Sequence, residues 1–71
     1  MAIIMLFEVI LFNEQVRAKI REGEHHRTFT DDWADTHYIE IKASDEAAAM
    51  RKVRDKYAAA DGFVIEGITE V

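Results

Sequence analysis

Seventy-one residues, 49% of them hydrophobic, with a formal net charge of −5, no cysteine and no proline, make one domain, residues 1–71, with room for a single small core. Without thiols there can be neither disulfides nor a thiolate metal site, which suits a reducing, cytoplasmic setting. The acidic balance argues against sequence-independent nucleic-acid binding, which rests on Lys and Arg neutralising phosphates.

The run "MAIIMLFEVILF" is too short to span a bilayer, is interrupted by Glu8 and has no basic stretch before it, so no membrane association is expected. Residues 3 to 12 read instead as a first strand. Ile3, Met5, Phe7, Val9 and Leu11 fall on one face, and Ile4, Leu6, Glu8, Ile10 and Phe12 on the other. Apolar side chains on both faces are the mark of a central strand.

Asn13 is placed to cap a short helix, "EQVRAKIRE", with Val16 and Ile20 one turn apart and Gly23 as its stop. The helix is highly charged, so it depends on docking. Residues 24 to 35 have no period. "HRTFT" can extend as an edge strand, or "TDDWAD" can form one helical turn capped by Thr30.

"THYIEIKA" alternates, with His37, Ile39, Ile41 and Ala43 facing one way and Thr36, Tyr38, Glu40 and Lys42 the other. Ser44 is the expected cap of a second helix, "DEAAAMRKVRDKYAAA", in which Ala49, Val53, Tyr57 and Ala60 share a stripe flanked by Met50. Gly62 should stop that helix. "FVIEGITEV" returns as the last strand, with Gly67 marking a bulge.

The fold class is therefore α+β: a small β-α-β-α-β domain, with a three-stranded sheet, the first strand central, and two helices packed on one face. Nothing is left to cover the second face, and an apolar patch there marks an interaction surface. Ile4, Leu6, Ile10 and Phe12 would carry self-association as a homodimer, or binding of another protein. Trp33 is a candidate to join them, as an aromatic of the kind enriched at interfaces, although an aromatic such as Trp33 or Tyr38 in so small a protein is more often core. The competing arrangement has residues 24–35 folded across this face, with Phe29 and Trp33 plugging it.

The stretch "EHHRTFTDDWADTHYIEI" holds all three histidines. His25, His26, Asp35 and His37, with Asp31 and Asp32 nearby, offer nitrogen and oxygen ligands of the kind zinc, nickel or iron accept. Their spacing matches no metal motif, and the plainer reading is a solvated acidic loop. A histidine beside a carboxylate could act as acid or base. No nucleophile elbow, phosphate-cradling loop or paired-carboxylate motif accompanies it, so neither enzymatic activity nor a cofactor is expected. Seven of the nine basic residues fall on the two helices, which reads as a solvated helix surface. A further possibility is an inhibitor whose acidic loop mimics nucleic acid toward a basic protein.

At "DDWADTHYIEIKA" followed by "GFVIEGI", the chain resembles a family of small uncharacterised bacterial proteins with a similar "WADTHYIE" stretch, a capped helix and a "GFVIE" ending. The resemblance implies a compact α+β domain and brings no activity, cofactor or catalytic residue with it. The strand, Ser-capped helix, strand half is also similar to units in small ribosomal and phage-encoded proteins, which is a hint of fold alone.

Overall fold

A computed structural model describes residues 3–71. Strand β1 (Met5–Asn13) leads directly into helix α1 (Glu14–Arg21). A 3-10 turn at Asp31–Ala34 precedes strand β2 (His37–Ala43). Helix α2 (Glu46–Lys56), a second 3-10 turn at Ala59–Asp61 and strand β3 (Phe63–Glu70) complete the chain. The sheet order is β2-β1-β3, with β1 antiparallel to both neighbours. The α+β class and the central first strand are therefore as the apolar alternation implies.

One face of the sheet carries the core. Phe7, Val9 and Leu11 of β1 pack with Ala43, Phe63, and Ala49 and Val53 of α2, and all are buried, as is Val16 of α1. Ala49 sits in one cluster with Phe7 and Ala43, where its small side chain lets α2 approach the sheet; Val53 sits in another with Val9, Leu11 and Phe63. Only the first turn of α1 is docked: Val16 is fully buried, whereas Ile20 is 42% exposed.

Asn13 ends β1 and caps α1 at once. Its Oδ1 accepts the Val16 amide at 3.0 Å, and its Nδ2 donates to the Asp61 carbonyl at 3.0 Å. It is the fully buried polar side chain among the described residues, and both ends of its amide are used. At the other end of α1, Gly23 (φ +75) donates to Ile20 and Glu24 donates to Lys19. This is the paired closure of a Schellman motif, with glycine in the left-handed position where it is needed.

Three local expectations give way. The cap of α2 is Asp45, whose side chain accepts the Ala48 amide at 2.8 Å; Ser44 lies one residue too early. The helix stops at Lys56, with Tyr57 leaving helical geometry (φ −124, ψ 79). Tyr57 packs instead against Trp33 and Phe63, so tertiary contact overrides the local pattern and Ala60 ends up exposed in the second 3-10 turn. Gly62 (φ +96) closes that turn rather than α2.

The bulge lies where Gly67 suggests it. Ile10 pairs with Gly67 and Leu11 with Ile65, so Glu66 is the extra residue. The absent side chain at Gly67 leaves space filled by Ile10, whose Cδ1 lies 3.9 Å from where a Cβ would stand. No helix among the described residues is long and apolar enough to cross a membrane.

Candidate functional site

The register across the sheet fixes what its uncovered face presents. Lys42 stands beside Leu6, Glu40 beside Glu8, and Tyr38 beside Ile10. On the other flank Val64 stands beside Phe12, Gly67 beside Ile10 and Thr69 beside Glu8. Leu6, Glu8, Ile10, Phe12 and Val64 are half-buried, while Tyr38 is 64% exposed and Ile4, just before the strand, 67% exposed. These side chains sit on the side of β1 opposite Phe7, Val9 and Leu11.

Two features give this apolar face a pattern of charge. Glu8 and Glu40 stand directly opposite on neighbouring strands, and like charges so placed repel. Lys42 lies one row away, beside Leu6. Among the described residues no ion pair joins it to either carboxylate. At the far end, the Thr36 hydroxyl donates to Glu66 at 3.4 Å. The Arg17 guanidinium stacks over the Phe12 ring, 3.7 Å from its centroid, while its Nε donates to the Ala34 carbonyl at 3.0 Å. Arg17 thus covers part of Phe12 and ties α1 to the first 3-10 turn. Ile4, Leu6 and Ile10 carry no such cover.

Residues 24–35 do not plug this face. Phe29 and Trp33 pack on the covered side, against the cluster of Val9, Leu11, Val53 and Phe63. Phe29 and Trp33 each meet Phe63 edge-on at ring-centroid distances of 5.0 and 5.2 Å, and Trp33 stacks on His37 at 4.1 Å. Aromatic pairs in these arrangements add to simple area burial. Trp33 consequently belongs to the core side and not with Ile4, Leu6, Ile10 and Phe12. "TDDWAD" forms the single turn, but the Thr30 hydroxyl donates to the Asp32 carboxylate rather than capping the backbone.

The candidate metal ligands do not converge. His25 Nδ1 bonds both oxygens of Asp31, at 2.9 and 2.8 Å. His26 Nε2 meets Gln15, and its Nδ1 accepts the Thr28 and Phe29 amides. His37 Nε2 bonds the Asp32 carbonyl at 2.8 Å. Each ring is committed to a different neighbour, and Asp35 joins none of them. Among the described residues no three His, Asp or Glu side chains come together as a metal-holding group. The histidines tie the loop together instead.

The hydrogen bond that His25 donates to Asp31, aided by the carboxylate's charge, raises the His25 pKa above the usual 6.5, and the Thr30 hydroxyl lowers that of Asp32. Because the folded value for His25 is the higher one, the pairing contributes fully below pH 6.5 and fades as pH rises through the folded value. His25 is open to solvent, so the contribution to stability is small. In an NMR titration of the histidine side chains, the His25 midpoint is expected to fall toward 6.5 in Asp31→Asn. A midpoint unmoved by that change would exclude the pairing.

One arrangement had no signal in the pattern of residues. Met50 and Arg54 of α2, and Tyr57 just past its end, converge with Ala59, Phe63 and Ile65 around a cavity of about 200 Å³ between α2 and β3. Met50 and Arg54 stand one turn apart on α2, but Tyr57 lies outside the helix and the facing wall comes from β3, which only the folded chain brings alongside.

Compared with protein-family models, with curated proteins and with solved structures, the chain gives no match.

Proposed function

We propose that this chain is a small, non-catalytic binding domain, working in the cytoplasm, that pairs with a second copy of itself through the open face of its sheet. The observation that carries the reading is the pair Leu6 and Ile10 on the open side of β1, with Lys42 one row from the Glu8–Glu40 pair. A face of this kind is self-complementary. A two-fold axis running across the strands between those rows would set each Lys42 beside the partner's carboxylates, relieving the Glu8–Glu40 repulsion. Leu6 would lie close to that axis, and the two sheets would pack at roughly 10 Å. Self-association also supplies apolar burial that a domain of this size lacks when alone.

Sedimentation velocity tests this directly. The protein is expected to sediment as a dimer, and Leu6→Lys and Ile10→Lys as monomers with unchanged far-ultraviolet circular dichroism. Lys42→Glu should weaken the dimer and Glu40→Lys combined with Lys42→Glu restore it, since the double change keeps the complementarity. A parent chain that stays monomeric at millimolar concentration would overturn the reading. So would lysine variants that unfold, because Leu6 and Ile10 would then be core.

A further inference from the structure

We propose that the outer edge of β3, together with the cavity beside it, receives an extended peptide segment of another protein, one that carries an apolar side chain next to a carboxylate. This surface is separate from the open face, and the inference does not depend on self-association there.

The backbone comes first. The Val71 amide donates to the Leu6 carbonyl at 2.8 Å, and the Glu14 amide to the Gly62 carbonyl at 2.7 Å. Antiparallel strands alternate residues that bond their neighbour with residues that turn away. Counting from those two bonds, with Glu66 as the extra residue, Ile68 and Glu70 beyond the bulge, and Phe63 and Ile65 before it, point their N–H and C=O groups away from β1. Among the described residues β3 pairs with β1 alone, so these groups form an unpaired row on the outer edge. Such a row is a template for an added strand.

Next comes the position of α2. The Lys52 ammonium donates to the Lys42 carbonyl at 2.6 Å, holding α2 over β2. The flank toward β3 is left open as the cavity lined by Met50, Arg54, Tyr57, Ala59, Phe63 and Ile65. Phe63 and Ile65 therefore supply both the outward backbone groups and one wall of the cavity. A strand added at this edge would point every second side chain toward α2. At about 200 Å³ the cavity falls below the roughly 300–1,000 Å³ of small-molecule sites, and it suits one apolar side chain of a peptide.

Charge then selects the occupant. Arg54 is exposed at the cavity and makes no ion pair among the described residues, which favours a carboxylate on the incoming segment. A second copy of β3 fits less well. Its sequence, FVIEGITE, holds Glu66 and Glu70 and no cation, so two such edges would bring acid against acid.

The test uses a display library of random ten-residue peptides panned on the full chain, followed by titration of the isotopically labelled protein with synthesised winners. Enriched peptides should share an apolar residue within two positions of Asp or Glu. Their binding should shift the amides of Met50, Arg54, Phe63 and Ile65. Arg54→Glu, an exposed change, should weaken binding at least ten-fold, as should Gln in place of the peptide carboxylate. N-methylation of one alternate set of peptide amides should abolish binding, and of the other set leave it intact. No enrichment over blank panning would overturn the proposal, as would winners indifferent to Arg54→Glu or shifts confined to the open-face residues 6–12 and 38–42. Concentration-dependent shifts of β3 amides without peptide would assign the edge to a second copy and overturn the proposed occupant.

Discussion

Gly62→Ala is expected to lower the free energy of unfolding by about 2–4 kcal/mol, read from urea denaturation with an unchanged slope. Two effects combine at this position. The backbone is left-handed, with φ at +96, and a Cβ there would lie 2.6 Å from Gln15 Cγ, 2.9 Å from Gln15 Cβ and 2.7 Å from Asn13 Oδ1. None of these atoms is the free end of a mobile side chain. Asn13 Oδ1 is held by the Val16 amide, and the Gly62 carbonyl is itself held by the Glu14 amide. Gly23→Ala is the control. That residue has φ +75 and nothing within 4 Å of its would-be Cβ, so only the left-handed penalty of about 1 kcal/mol applies. The difference between the two variants measures the close approach of the second 3-10 turn to the start of α1. Equal losses at both sites would show that the contact is slack.

Asn13→Leu is expected to cost about 3 kcal/mol, from a buried Val16 amide and a part-buried Asp61 carbonyl both left without a partner. A side chain of similar bulk fills the space, so the loss reports the hydrogen bonds rather than a cavity. Asn13→Asp separates the two bonds. A carboxylate still accepts from Val16 but cannot donate to Asp61, and it sits fully buried without a cation, which raises its pKa. Asn13→Asp should therefore be more stable near pH 4 than at pH 7, whereas the stability of Asn13→Leu should follow the parent chain across that range. A flat difference between the Asp variant and the parent would mean that water reaches the site. Asn13 and Gly62 share atoms, so their combined effect is expected to fall short of the sum.

Asn13 also shows how far the fold could be read ahead. Its cap, the two apolar faces of β1, the alternation from His37 to Ala43 and the bulge at Gly67 each depend on near neighbours in sequence, and each was legible. Its bond to Asp61 was not, because that joins residues 48 apart. The same division explains the misses. Ser44 and Asp45 are both good caps, and which one bonds Ala48 is decided by where β2 ends. Tyr57 falls on the apolar stripe of α2, but the rings of Trp33 and Phe63 draw it out of the helix. Residues 24–35 lack a period because single side-chain bonds, such as His25 to Asp31 and His26 to the Thr28 and Phe29 amides, shape them instead of a repeating backbone pattern. They are also held from outside, by Phe63 under Phe29 and Trp33 and by Arg17 on Ala34. The open face was legible as a surplus of apolar residues, including Leu6 and Ile10 on the correct side. For Trp33 the local pattern leaves both core and interface open, because an aromatic among charges resembles an interface residue until its neighbours are known; Phe63 and the core cluster decide for the core side. The histidines were misleading for a similar reason, since the types were right for a metal and the pairings were not.

The strand order carries a consequence for how the molecule acquires its structure. β1 is central, yet its partners along one edge are drawn from the far part of the chain, with Phe7 opposite Glu70. No hairpin joins any two neighbouring strands; each pairing closes a loop containing at least one helix. Contacts of such long sequence separation slow folding. As the chain leaves a ribosome, the most apolar strand emerges before both its partners and waits for the second of them until residues 63–70 follow. In that interval its edge and both its faces are open to other nascent chains. Glu8, the one charge within the strand, stands in the middle of the stretch at greatest risk, where it can act as a gatekeeper against aggregation.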